Sequence, residues 1–193
     1  ASYYSLTTGE VVRKIAFVFR SEDKTKEGKD VNGSDIFLNI YAAGLNVSIK
    51  NPVDKVTSLN TSETVQVVSS AAANLELFIN GTSVQTASSA TALNYPITYN
   101  EYKEYTLVAK ATANGTSVYD TAYVCVPTAT EVQARPAGTQ AGINYVDNNT
   151  VTLVLHAPNK TRAFVIGDMS DWVTKNTYQM KKDGEYFWFT LSG

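Results

Sequence analysis

Asp168 and Asp171 are two carboxylates three residues apart in the stretch "VIGDMSDW", residues 165–172. Glycoside hydrolysis uses a carboxylate pair, but the two groups must flank the scissile bond, about 5–5.5 Å apart in retaining enzymes. Two side chains of one tight turn approach a sugar from the same side, and an open sheet edge does little to raise the pKa of an acid. We therefore assign no catalytic residue, and expect Asp168 to accept backbone N–H groups of the turn.

Trp172 closes the same stretch and is the main candidate for ligand contact. Sugar rings present C–H faces that stack on flat aromatic side chains, while polar groups at the rim satisfy their hydroxyls. Trp172 would supply such a flat surface, and Asp171 is a weaker candidate. The alternatives are that Trp172 is a core residue or that it contacts a neighbouring domain.

A second tryptophan, Trp188, lies in the stretch "EYFWFTL" of residues 185–191. Period-two alternation places Tyr186, Trp188 and Thr190 on one face of a strand, opposite Phe187, Phe189 and Leu191. One face must form the core, so the other is expected to expose large aromatics at an interface or a ligand surface. Trp188 is therefore a weaker candidate for carbohydrate binding.

Neither a metal site nor a cofactor is predicted. Asp30, Asn32 and Asp35 resemble a fragment of a calcium loop, but the spacing is incomplete and the downstream bidentate glutamate is missing. A solvated hairpin loop is the favoured interpretation. The chain has one cysteine, Cys125, and one histidine, His156, which excludes the usual zinc sites. Both lie in apolar, strand-like stretches, which favours a buried inert thiol and a structural histidine.

The composition excludes several classes of function. The chain has 193 residues, 44% hydrophobic and 18% charged, which is typical of a globular protein. A net charge of −2 gives no basic patch for nucleic acid. No apolar run approaches the roughly 18 residues needed to span a bilayer.

Short apolar strands separated by turn dipeptides predict an all-β chain of tandem Ig-like β-sandwich modules. Strands are predicted at residues 14–20, 35–41, 73–81, 104–115, 150–157 and 185–191. Asn32-Gly33, Asn80-Gly81, Asn114-Gly115 and Asp183-Gly184 are dipeptides that tolerate the positive φ of tight hairpins. Tyr105 takes the place of the structural tyrosine that Ig-like domains carry near the start of a late strand.

Two breaks divide the chain into three predicted units. Residues 1–44 are the C-terminal part of one sandwich, 45–127 a complete Ig-like sandwich, and 128–193 the N-terminal part of a third. The polar segment 127–142, with its prolines and glycines, is the predicted linker before the third unit. Because the outer units offer too few strands for a sandwich, the chain is expected to be a middle slice of a larger protein.

The third unit resembles a known module. Residues 151–193, "VTLVLHAPNKTRAFVIGDMSDWVTKNTYQMKKDGEYFWFTLSG", are similar to the N-terminal Ig-like module that precedes the catalytic barrel of many α-amylase-family enzymes. The same module occurs elsewhere as a glycogen- or starch-binding domain. Met169 and Ser170 stand where the family usually has Phe and Asn. Residues 13–41 more loosely resemble a β-sandwich found ahead of such modules in secreted Bacteroides-type proteins.

The resemblance implies a non-catalytic region of a secreted or cell-surface bacterial α-glucan-degrading glycoside hydrolase. Its partners would be the catalytic barrel of the parent chain and an α-glucan such as starch. Trp172 matches the position at which glucan-binding relatives carry their stacking tryptophan, with Asp171 and Trp188 as further candidates. Two alternatives stay open: a non-enzymatic cell-surface starch-binding protein, and a structural Ig-like spacer without affinity for sugar.

Overall fold

The computed structural model describes residues 14–23, 25–29, 35–39 and 44–193. Regular structure in these ranges consists of strands, with two short 3₁₀ turns at Asp168–Ser170 and Asn176–Tyr178. The prediction of an all-β fold is confirmed. No helix among the described residues is long and apolar enough to cross a membrane.

The first described segment forms two small antiparallel sheets. Strand β1 (Lys14–Phe17) pairs with β4 (Ile36–Asn39), and β2 (Phe19–Arg20) pairs with β3 (Glu27–Gly28). The expected turn at Asn32-Gly33 lies outside the described residues, as do residues 42 and 43 of the expected break near residues 42–44.

The middle of the chain folds into a β-sandwich. Its strands are β5 (Val47–Asn51), β6 (Lys55–Val56), β7 (Thr61–Ile79), β8 (Thr82–Tyr99), β9 (Glu104–Ala113) and β10 (Thr116–Cys125). The long hairpin of β7 and β8 belongs to both layers, because the first half of β7 pairs with β5 and the second half with β9. Strand β10 continues the second layer and pairs in parallel with β6. We call this unit the middle sandwich.

The core of the middle sandwich lies between these two layers. Alternate residues of β9 are buried, as expected for a strand with one face on a core. They meet buried side chains of the long hairpin and of β10: Val65, Val67, Leu75, Leu77, Leu93, Tyr99, Ala122 and Val124. Tyr105 packs edge-on against Tyr99, with ring centroids 4.9 Å apart, and its hydroxyl accepts the backbone N–H of Glu101 at 3.2 Å. These two contacts of Tyr105 fix the turn between β8 and β9.

The C-terminal residues form a separate antiparallel sheet. Its strands are β11 (Gly142–Tyr145), β12 (Thr150–His156), β13 (Lys181–Asp183) and β14 (Tyr186–Ser192), in the order β11-β12-β14-β13. We call it the C-terminal sheet. Residues 157–180 connect β12 to β13 and contain the segment 165–175, which we call the Trp172 loop.

Part of the predicted linker is bound to the C-terminal sheet. Val132 forms a parallel bridge with Lys182 of β13. The N–H of Gln133 donates to the carbonyl of Lys182 at 3.0 Å, and the N–H of Lys182 donates to the carbonyl of Glu131 at 2.8 Å. Residues 131–133 therefore extend the sheet by a short strand-like stretch, which ties this part of the segment to the unit that follows it.

Candidate functional site

The Trp172 loop is organised around the backbone of Gly167. Its carbonyl oxygen accepts the N–H groups of Ser170 and Trp172, at 2.9 and 3.0 Å. The Ser170 hydroxyl is fully buried, donates to the same carbonyl at 3.0 Å and accepts the N–H of Gly167 at 3.1 Å. One small buried side chain thus closes the turn and leaves the residues after it to point outward.

The two residues that follow this turn have left-handed backbones. Asp171 has a φ of 56° and Trp172 a φ of 59°. This region is uncommon for residues other than glycine and is an outlier for a bulky aromatic, with a cost of about 1–3 kcal/mol. The hydrogen bonds to Gly167 hold the strained conformation, and strain of this kind in a loop tip is typical of functional positions.

Trp172 is exposed, at 69% of its maximal surface, and its ring is nevertheless fixed. The indole N–H donates to Asp168 Oδ1 at 2.7 Å. Ile166 and Met169 of the same loop are also exposed. The loop therefore carries an exposed aromatic ring whose only polar group, the indole N–H, already has a hydrogen-bond partner. Further apolar side chains lie in the same loop.

The role of Asp168 differs from the sequence-based expectation. In place of capping the turn with its carboxylate, Asp168 uses its backbone carbonyl to accept the N–H of Asp171 at 3.1 Å. This leaves the carboxylate to hold the indole. The reason is geometric, since in a 3₁₀ turn the carbonyl of residue i already meets the N–H of residue i+3.

Asp171 is exposed beside Trp172, as its proposed role would require. Its Oδ2 lies 2.6 Å from Nζ of Lys175, four residues further on. The hydrogen bond to Asp171 raises the pKa of Lys175. The loop thus offers both an acceptor and a donor for hydroxyl groups next to the exposed indole.

Trp188 does not present a stacking face in this structure. It is 7% exposed, and its indole N–H donates to the carbonyl of Gln133 at 2.8 Å. Lys181 Nζ lies 5.2 Å from the ring centroid. The expectation that one face of residues 185–191 exposes its aromatics fails here, because residues 131–133 cover Trp188 while its neighbour Phe187 is also buried.

A cleft of about 290 Å³ lies beside the Trp172 loop, where the loop meets the middle sandwich. We call it the junction cleft. Glu104, Thr106, Tyr123 and Val124 line one side, and Asp171, Val173, Thr174 and Lys175 line the other. It brings residues far apart in sequence together, which the sequence alone did not indicate.

Asn176 fastens the two sides of the junction. Its backbone N–H donates to Glu104 Oε1 at 2.5 Å, and its side-chain amide donates to the carbonyl of Val126 at 3.2 Å. Its Oδ1 accepts the N–H of Thr128 at 2.9 Å. The two hydrogen bonds that Asn176 donates hold the end of the Trp172 loop against the middle sandwich, and the one it accepts ties it to Thr128.

His156 and Cys125 are not among the residues that line the junction cleft. His156 Nε2 is 3.4 Å from Glu185 at an exposed strand end, and its ring contacts Tyr186. Cys125 is buried, and burial raises the pKa of its thiol to about 11, with a further contribution from Glu104.

The acidic loop near the start of the chain is described in part. Asp35 pairs with Lys29 at 2.5 Å, whereas Asp30 and Asn32 of the possible calcium loop lie outside the described residues. Among the residues that are described, no group of three or more His, Cys, Asp or Glu side chains could hold a metal ion.

Comparison with known proteins gives distant structural likenesses. No protein-family model and no curated protein matches the chain. Apo β-glucuronidase 3 of Bacteroides uniformis is 12% identical, with a TM-score of 0.33, and the match covers 78% of this chain and 22% of that chain. A second B. uniformis β-glucuronidase is 11% identical, with a TM-score of 0.34, over 77% of this chain and 28% of that one.

An Ig tandem of titin is 12% identical, with a TM-score of 0.32, over 76% of this chain and 80% of that chain. The chain spans less than a third of the length of the two β-glucuronidases. Likenesses this weak carry no conclusion about activity. The assignment to the α-amylase family stays a proposal.

Proposed function

We propose that this chain is a non-catalytic region of a secreted bacterial α-glucan-degrading glycoside hydrolase, which positions the catalytic barrel and holds starch. In this proposal the chain comprises three units at 1–44, 45–127 and 128–193. The resemblance of residues 151–193 to the amylase-type Ig-like module supports an α-glucan as the ligand. The geometry of the Trp172 loop supports the proposal that this chain binds it.

The observation that carries the proposal is the exposed, anchored indole of Trp172. An aromatic ring that is fixed before the ligand arrives loses little conformational freedom on binding. Its apolar face can cover the C–H face of a glucose unit, and Asp171 and Lys175 stand beside it to meet hydroxyl groups. Trp188 has no such role in this proposal, because it is buried.

Calorimetric titration with maltoheptaose tests the proposal. The native chain should release heat on binding, and Trp172→Ala should remove that heat. Tyr119→Ala is the matched control, because Tyr119 is also an exposed aromatic but lies on β10 far along the sequence from the loop. Equal binding of maltoheptaose by the native chain and by Trp172→Ala would refute the proposal that Trp172 is a sugar platform. A native chain that releases no heat on addition of maltoheptaose would refute it as well.

A structural spacer is the second candidate function. The observation that favours it is the set of hydrogen bonds from Asn176, which fastens the Trp172 loop to the middle sandwich. A spacer needs such fixed joints and no ligand. The same titration separates the two, since a spacer gives no heat with any glucan.

A further inference from the structure

The junction cleft is lined by groups suited to a neutral, hydroxyl-rich ligand. Three of its lining residues carry hydroxyls: Thr106 and Tyr123 of the middle sandwich, and Thr174 of the loop. Glu104, Asp171 and Lys175 add acceptors and a donor. Two carboxylates against one ammonium leave no excess positive charge, which disfavours phosphate or another anion.

The walls of the cleft are also held in place by contacts within the chain, before any ligand binds. Thr106 and Tyr123 are partners in the register of β9 and β10, which fixes their separation. The opposite wall is held by Asn176, whose N–H donates to Glu104. The volume of about 290 Å³ is close to the lower end of about 300 Å³ for small-molecule sites.

The cleft adjoins the exposed indole. Asp171 and Val173, the two residues on either side of Trp172, both line it. A ligand that lies on Trp172 and extends past Asp171 therefore reaches the cleft.

We propose that the junction cleft is a second sugar subsite, which takes further units of the same glucan chain that stacks on Trp172. A long ligand would then span the Trp172 loop and the middle sandwich, so that its full affinity depends on both units. This inference rests on the proposed function. It predicts that a longer glucan gains affinity from the cleft, whereas a short one held by Trp172 alone does not.

Two cleft variants test the subsite. Thr106→Tyr fills the cleft from a half-buried position that alternates with the buried residues of β9, and Tyr123→Phe removes one hydroxyl. The matched control is Tyr119→Phe, because Tyr119 lies on the same face of β10 as Tyr123 but outside the cleft. Thermal unfolding of each variant checks that the fold is kept.

Titrations with maltoheptaose and maltotriose give the readout. We expect Thr106→Tyr to weaken maltoheptaose binding about tenfold and Tyr123→Phe about three- to fivefold, with maltotriose and the control unchanged. Native-like maltoheptaose binding by both cleft variants, with binding lost in Trp172→Ala, would overturn the subsite and leave the proposed function standing. Absence of binding by the native chain would overturn both.

Discussion

The indole N–H of Trp172 donates to the carboxylate of Asp168 across 2.7 Å, between residues four apart in one loop. The carboxylate holds the polar edge of a ring that is otherwise open to solvent. A charge-assisted hydrogen bond of this kind is about twice as strong as a neutral one. Asp168 therefore acts as the positioning residue for Trp172, in place of the catalytic or turn-capping roles considered from the sequence.

Asp168→Ala should loosen the indole without harming the fold. We expect maltoheptaose affinity to fall about three- to tenfold, because the ring must then be ordered on binding. The fluorescence anisotropy of Trp172, followed in a Trp188→Phe background, should also drop. Asp147→Ala is the control, since Asp147 accepts a backbone N–H in a different exposed turn. Unchanged affinity and anisotropy in Asp168→Ala would argue against the positioning role.

Glu63 is the acidic residue whose protonation should weaken the middle sandwich. It accepts hydrogen bonds from Lys55 Nζ at 2.7 Å, the Tyr99 hydroxyl at 2.6 Å and the Asn51 amide at 3.1 Å. Burial acts to raise the pKa of Glu63, but the hydrogen bonds from Lys55 and Tyr99 outweigh it and lower the pKa below its ordinary value of 4.5. A lowered pKa in the folded state means stability that is present above pH 4.5 and lost as the pH falls further.

Denaturant unfolding of Glu63→Gln at pH 7 and at pH 3 tests this linkage. The variant should be less stable than the native chain at pH 7, by about 1 kcal/mol or more, and the difference should shrink at pH 3. Glu101→Gln is the control, because Glu101 forms an exposed ion pair with Lys103. If the difference in unfolding free energy between Glu63→Gln and the native chain is the same at both pH values, the stability does not depend on the ionisation of Glu63.

Cys125 should resist thiol reagents while the chain is folded. Burial, followed by the nearby charge of Glu104, raises the pKa of the thiol to about 11. At pH 8 only about one thiol in a thousand would be ionised even if reagent could reach it. We expect a chromogenic disulfide to react at least about a hundredfold faster in concentrated urea than in buffer. Comparable rates in the two conditions would mean that the end of β10 is open.

One face of the C-terminal sheet should promote self-association. The register places Ile143 opposite Leu153 and Tyr145 opposite Val151, so these side chains share a face with Leu155. Ile143, Tyr145 and Leu155 are exposed, and an exposed apolar sheet face of this kind favours association. Sedimentation at increasing concentration should show association that Ile143→Lys weakens and Val53→Lys, at another exposed apolar position, leaves unchanged. A monodisperse native monomer would contradict this expectation.

The hairpins were predictable because their turns are specified by local chemistry. Asn80 and Gly81 have φ of 48° and 81°, and Asn114 and Gly115 have φ of 50° and 77°. Few residue pairs other than Asn-Gly tolerate two successive positive φ values, so each dipeptide indicates its turn without tertiary information.

The long strands β7 and β8 were harder to predict. Residues 61–72 and 82–92 are rich in Ser, Thr and Ala, which give little contrast between a buried and an exposed face. These segments are strands because they pair with each other and with β5, and such pairing is decided by tertiary contacts.

The candidate site was predictable only in part. The place of Trp172 at the end of "VIGDMSDW" indicates a candidate platform, whereas the burial of Trp188 depends on residues 131–133 crossing over it. The junction cleft combines Glu104 with Lys175, residues 71 positions apart in the numbering. Contacts of such long range leave no periodic pattern in the sequence.

The indole N–H resonances offer the most direct measurement of the central claim. The chain has two tryptophans, so its nitrogen–proton correlation spectrum should contain two indole signals, which Trp172→Phe assigns. On addition of maltoheptaose, the Trp172 signal should shift progressively with ligand concentration while the buried Trp188 signal stays in place. A spectrum in which the Trp172 signal does not move would contradict the proposal that this loop is a sugar platform.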